Sequence, residues 1–215
     1  MHYDFLVEDS SGAKMLSILV SKILRSSKDT WKINSYKGCG TIPKGLKSAS
    51  DVKARILLDQ LPRLLEGFGK RNESACMTDA VIVVVCDLDR RNYAQFIADL
   101  ETIRSQCHSN PNARFCIAIE EGEAWLLGDI PAVQKAYPNA RKQILKKYKN
   151  DSICGTWELM ADALYEGGAI KLKSLGYQAV GKEKCLWAER ITPFMNVAEN
   201  KSPSFNHFVQ TIKNP

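Results

Sequence analysis

The chain has 215 residues, 45% hydrophobic and 25% charged. That is the balance of an ordinary globular protein, and no apolar run approaches the roughly 20 residues a membrane helix needs. The formal net charge of +6 is unevenly placed: residues 1–129 hold 17 Lys/Arg and 17 Asp/Glu, whereas residues 130–215 hold 13 and 7. A basic last third suits a phosphate-backbone binder, and it equally suits a lysine-rich solvated helical surface. The start, MHYDFLVEDSSG, lacks the basic-then-apolar order of a signal peptide. The seven scattered cysteines show no C-x-x-C spacing and the three histidines do not cluster. This argues against structural zinc and for reduced thiols in a cytoplasmic protein.

In chain order, Tyr3 to Val7 reads as a short strand. Met15, Leu16, Leu19, Val20, Ile23 and Leu24 then form one apolar helical stripe, with Ser10 or Ser11 as its cap. Trp31 to Tyr36 reads as a second strand, and residues 38–45, GCGTIPKG, as a loop rich in breakers. Asp51 to Phe68 has helical periodicity with Val52 and six further apolar residues on its core side, and Pro62 predicts a kink. Ala80 to Cys86, AVIVVVC, is a strand buried on both faces. A helix over Tyr93 to Cys107 and a strand over Arg114 to Ile119 complete an alternation that predicts a parallel sheet covered by helices.

After Ile119 the pattern changes. Glu121 to Leu127 reads as helical, and shorter helical pieces follow, best over Thr156 to Tyr165, Lys182 to Val197 and Phe205 to Ile212. The plan is an α/β core over residues 1–129 with a basic helical region, 130–215, packed on it. The four tryptophans read as packing residues rather than base-stacking platforms. SPSF, Ser202 to Phe205, reads as a capped helix start, with phosphate binding there as the alternative.

On this plan the acids gather. Glu8 follows the first strand, Asp87 and Asp89 the third, and Glu120, Glu121 and Glu123 the fourth. In a parallel sheet these are all carboxyl ends, the edge at which open α/β sheets bind ligands. Crowded carboxylates repel, so some stay protonated or a divalent cation holds them together. Oxygen donors without His or Cys suit Mg²⁺, Mn²⁺ or Ca²⁺. The paired aspartates of DLD have a plainer reading as a loop start. Arg90 and Arg91 either face a phosphate or are solvated first-turn residues.

A glutamate after strand one, in FLVE, with an acidic D-x-D after strand three, resembles the topoisomerase–primase (Toprim) fold. Residues 119–129, IEEGEAWLLGD, are similar to the signature of a small bacterial Toprim-like family, as are the KGCGTIPKG loop, LPRLLEGFGK and SPSF. The resemblance implies a four-stranded parallel Toprim-like core and Mg²⁺- or Mn²⁺-dependent phosphodiester chemistry on DNA or RNA. It assigns Glu8, Asp87 and Asp89 as catalytic metal ligands, with Glu121, Glu123 and Glu120 at a second position. Nucleases of the overcoming-lysogenization-defect type resemble this arrangement and often work beside an ATPase in anti-phage defence. An AAA-type ATPase partner is thereby implied, and a homo-oligomer stays open. The chain departs from the pattern where Asp9, not glycine, follows Glu8; Gly12 is then the residue to supply the turn. Among lysines only Lys14 is near enough in sequence for a phosphate role, against a plain helix-surface reading.

The competing class is a non-catalytic subunit that binds an ATPase or nucleic acid without cutting. A sugar-nucleotide transferase also uses D-x-D, but the chain is short for one. Neither G-x-G-x-x-G nor G-x-x-x-x-G-K-[ST] is present, which excludes the usual dinucleotide and phosphate-loop binders.

Overall fold

The computed structural model describes residues 1–24, 26–45 and 51–214, apart from the side chain of Val52, whose expected core position lies outside the described residues. Strand β1 (His2–Val7) leads to helix α1 (Ser10–Ile23) and β2 (Thr30–Ser35). A 3₁₀ turn, Val52–Ala54, precedes α2 (Leu57–Ser74), β3 (Ala80–Asp87), α3 (Tyr93–Gln106) and β4 (Ala113–Ala118). The remainder is helical: α4 (Glu123–Leu127), α5 (Ile130–Ala136), α6 (Lys142–Leu145), α7 (Thr156–Leu164), α8 (Gly168–Ser174), α9 (Tyr177–Ile191), a 3₁₀ turn Thr192–Phe194, and α10 (Pro203–Lys213). No helix among the described residues is long and apolar enough to cross a membrane.

The expected strands are all present, displaced by a residue or so at their ends. All pair in parallel, in the order β2-β1-β3-β4. The direction of sheet growth reverses between β1 and β3, which places the switch point, where α/β sheets bind ligands, between the carboxyl ends of those two strands. The period-2 pleat sorts the strand residues onto two faces. Leu6, Ile82, Val84 and Cys86 pack with Leu58, Leu61 and Leu65 of α2 and Phe96, Leu100 and Ile103 of α3. Phe5, Val7, Val81, Val83 and Val85 pack with α1 and with the helices of the last third.

The last third completes that second face. Trp125 of α4 stacks on Phe208 of α10 at 4.9 Å between ring centroids and meets Phe205 edge-on at 5.7 Å. Phe208 in turn approaches Phe5 of β1, and the Tyr3 hydroxyl donates to the Ile212 carbonyl at 3.0 Å. Such aromatic pairs add roughly 0.5–1.5 kcal/mol each beyond their burial.

Several local expectations are corrected. The cap of α1 is Asp9, not Ser10 or Ser11: its Oδ1 accepts from the Gly12 N–H and its Oδ2 from the Ser11 hydroxyl, both at 2.7 Å. That is why an aspartate follows Glu8. Gly12 supplies close approach instead of a turn, since a Cβ there would meet Val7 Cγ1 at 2.9 Å. Helix α2 starts six residues late, after Arg55 takes a left-handed φ of 55°, and runs on through Gly67 and Gly69 to Ser74. Gly69 is a packing residue: a Cβ would strike the Ser109 side chain. Helix α9 begins at Tyr177, after the cap Gly176 and earlier than expected, and ends before Pro193.

Candidate functional site

Glu8 is the first residue past β1, and its N–H still bonds the Val85 carbonyl at 3.1 Å, so the strand ladder fixes its position. Its Oε2 reaches across the end of β3 and accepts from the Asp87 N–H at 3.0 Å. The glutamate and the first aspartate of DLD are therefore brought together at the switch point. Both line a cavity of about 20 Å³, room for one water or one bare cation. Gly122 lies over the same cavity, its Cβ direction facing Asp87 Oδ1. Burial raises the Glu8 carboxyl above its ordinary range despite hydrogen bonds from the Asp87 N–H and the Cys39 thiol, and Asp89 and Asp9 add to the rise. Burial also pushes Asp87 well up, with Glu8 and Glu123 adding to it against Lys184.

The opposite wall is Glu123, 3% exposed, whose Oε2 pairs with Lys184 Nζ at 2.9 Å. Burial raises Glu123 and Lys184 holds it back. Burial opposes the charge on Lys184, yet Glu123, Glu121 and Asp87 hold its ammonium firmly protonated. Glu121 accepts from the Trp157 N–H at 3.1 Å and is pushed up to about 7, chiefly by burial, with Lys184 opposing and Glu123 adding. One lysine thus serves three carboxylates, Asp87, Glu121 and Glu123, and Glu8 stands beside them without it.

Other expected members lie apart. Glu120, with φ 61°, turns its carboxylate onto the start of α7, accepting from the N–H groups of Cys154, Gly155 and Thr156 at 2.9–3.0 Å and from the Thr156 hydroxyl. Those bonds outweigh burial and lower its pKa; they occupy it as a helix anchor. Asp89 has φ 51° and a half-exposed side chain paired with Arg91 at 2.7 Å. Arg91 also donates to the Gly40 carbonyl at 3.0 Å and lies over the Phe96 ring, so it ties the 38–45 loop to the rim. Arg90 is exposed on that rim. Lys14 pairs with Glu189 at 3.7 Å on the surface of α1 and α9. At α10 the cap is Ser202, and Asp151 accepts from the Ser204 N–H at 2.7 Å, so a carboxylate already occupies the place of a phosphate.

Lys184 is the residue that sequence reasoning missed. It lies 61 positions beyond Glu123, in a helix whose other lysine, Lys182, is exposed. The only available signal was its place in YQAVGKEKCLWAERI, between Val180 and Trp187 on the buried stripe of α9.

The donor set is all oxygen and short of positive charge, which fits a hard dication such as Mg²⁺ or Mn²⁺. Among the described residues no three His, Cys, Asp or Glu side chains converge ready to hold an ion. The fit is one of donor chemistry, charge and cavity size. A family profile described as a domain of unknown function, DUF4276, matches residues 7–213, so the chain belongs to that family. No curated protein and no solved structure matches it.

Proposed function

We propose that this member of the DUF4276 family is a divalent-metal-dependent nuclease of Toprim-like type that hydrolyses phosphodiester bonds in DNA or RNA. The observation that carries the reading is the Glu8 carboxylate seated on the Asp87 N–H at the β1/β3 switch point, two acids from separate strands sharing one small cavity. Glu8 and Asp87 would hold Mg²⁺ or Mn²⁺, with Glu123 from the facing wall and Asp89 and Glu121 from the rim; Glu120 is engaged elsewhere. When bound, such an ion supplies Lewis-acid polarisation of a phosphoryl oxygen and an activated water at neutral pH.

In hydrolysis a water oxygen bonds to phosphorus, the P–O ester bond breaks, and the departing oxygen takes a proton. That proton comes from solvent, because Glu8 as a ligand of the ion would be deprotonated. Lys184, paired with Glu123, would offset part of the negative charge of the acids around the ion. The seven cysteines are free thiols, in keeping with a cytoplasmic protein. An AAA-type ATPase partner in anti-phage defence belongs to the same proposal and is supported by the motif resemblance.

One observation favours a second reading. Lys184 already supplies a cation to the acids, as it would in a non-catalytic subunit that binds an ATPase or nucleic acid. Incubation of the protein with plasmid, single-stranded DNA and RNA in Mg²⁺ or Mn²⁺, with and without an ATPase, separates the two. Cleavage that is lost in Asp87→Asn and Glu8→Gln is the expected result. Identical behaviour of wild type and both variants, with no Mn²⁺ heat in calorimetry, leaves the non-catalytic reading.

A further inference from the structure

Beside the closed acidic cavity lies a second, open one of about 660 Å³, within the range of roughly 300–1,000 Å³ that small-molecule and cofactor sites occupy. Glu121 lines it and bonds the Trp157 N–H, so this cavity adjoins the acid cluster. Its walls differ in chemistry. Trp157, half-buried, and Ile153, 62% exposed, form an apolar side. Arg90 also lines it, exposed and without an ion-pair or hydrogen-bond partner among the described residues. Arg91, its neighbour, is fully engaged by Asp89 and Gly40. The start of α7 also opens here, but Glu120 already neutralises it. Asp89, Glu121 and Glu158 also line the cavity, so among the described residues Arg90 is its one cation not already paired and the group there that a ligand anion would meet.

We propose that this cavity is a subsite for one unpaired nucleotide, its base laid against Trp157 and Ile153 and its phosphate held by Arg90. The assignment rests on the nuclease reading and names its substrate class: single-stranded or locally frayed nucleic acid. A base offers its face to an indole only when it is unstacked, and base–aromatic stacking accepts any base. A duplex keeps its bases inside the stack and gains only the phosphate contact.

The test is binding, kept apart from cutting. A fluorescein-labelled oligo-dT strand and a duplex of equal length are titrated with the protein by anisotropy, in EDTA and again in Ca²⁺. The single strand binds more tightly than the duplex. Trp157→Ala weakens that binding roughly five- to hundredfold and Trp157→Phe restores most of it. Arg90→Gln weakens it and lowers the salt slope by about one unit. Equal binding of strand and duplex, or unaltered affinity in both Trp157→Ala and Arg90→Gln, overturns the subsite. So does a failure to bind the strand in either buffer. A protein that binds in the expected way and never cuts removes the nuclease reading and keeps the subsite. Cleavage with an unchanged KM in Trp157→Ala removes the subsite and keeps the nuclease.

Discussion

Asp4 and Glu8 stand four residues apart around one strand, at opposite ends of the sheet. Asp4 is fully buried and answered by a cation: Arg71 of α2 grips both carboxylate oxygens, and the His2 ring nitrogen Nε2 lies at 3.4 Å. Glu8 is answered by an N–H, a thiol and more acids. The amino end of the sheet therefore carries a charge that is settled within the fold, whereas the carboxyl end carries charges the fold leaves in conflict. A buried carboxylate matched by a guanidinium holds structure together. Several matched by a single ammonium keep a demand for positive charge that a ligand can meet. Glu120 and Glu123 repeat the contrast three residues apart, one spent on four donors of α7 and the other left facing Lys184.

The contrast breaks first at its settled end. Arg71→Ala leaves Asp4 buried against His2 alone. Because Arg71 is 42% exposed, the loss is below that of a fully buried pair, about 2–3 kcal/mol. A urea titration reads this as a lower midpoint at unchanged slope. At the conflicted end the sign reverses: Glu8→Gln and Asp87→Asn stabilise the fold by about 1 kcal/mol at pH 7.5, read as a higher midpoint, and abolish the Mn²⁺ heat. If they destabilise as Arg71→Ala does, the two ends are alike and the site loses its physical mark.

The finest test is the pH profile. Glu121 ordinarily titrates near 4.5 and is pushed up to about 7 in the fold. Between those values the native protein binds a proton that the unfolded chain releases. Glu121 therefore lowers stability progressively as pH rises from about 4.5 to about 7, with the full loss above that window. Glu121→Gln flattens this part of the curve, raising Tm at pH 8 by about 2–4 °C relative to wild type and leaving it near wild type at pH 4.5. A parallel shift at both pH values would assign the effect to packing.

Much of the scaffold was legible. Five consecutive β-branched residues in β3 and the apolar stripe of α1 follow from local periodicity, as does the placing of Glu8 and Asp87 at strand ends. The limits of α2 were not legible: the expected Asp51–Phe68 became Leu57–Ser74, because Arg55 takes a left-handed φ and Gly69 meets a close approach by Ser109 inside the helix. The resemblance carried by FLVE, DLD and EAWLLGD grouped six acids at one edge of the sheet but could not tell which of them meet.

Sequence alone determined which side chains reach the carboxyl edge, because a strand's direction and its two-residue period are local properties of the backbone. Tertiary structure decided which of them meet. The β2-β1-β3-β4 order sets Glu8 beside Asp87, left-handed backbone at Asp89 and Glu120 turns those two elsewhere, and the packing of α9 on α1 and α4 delivers Lys184 to Glu123. Those outcomes depend on contacts between segments tens of residues apart, where burial and charge are balanced over the whole fold and no local pattern records the result.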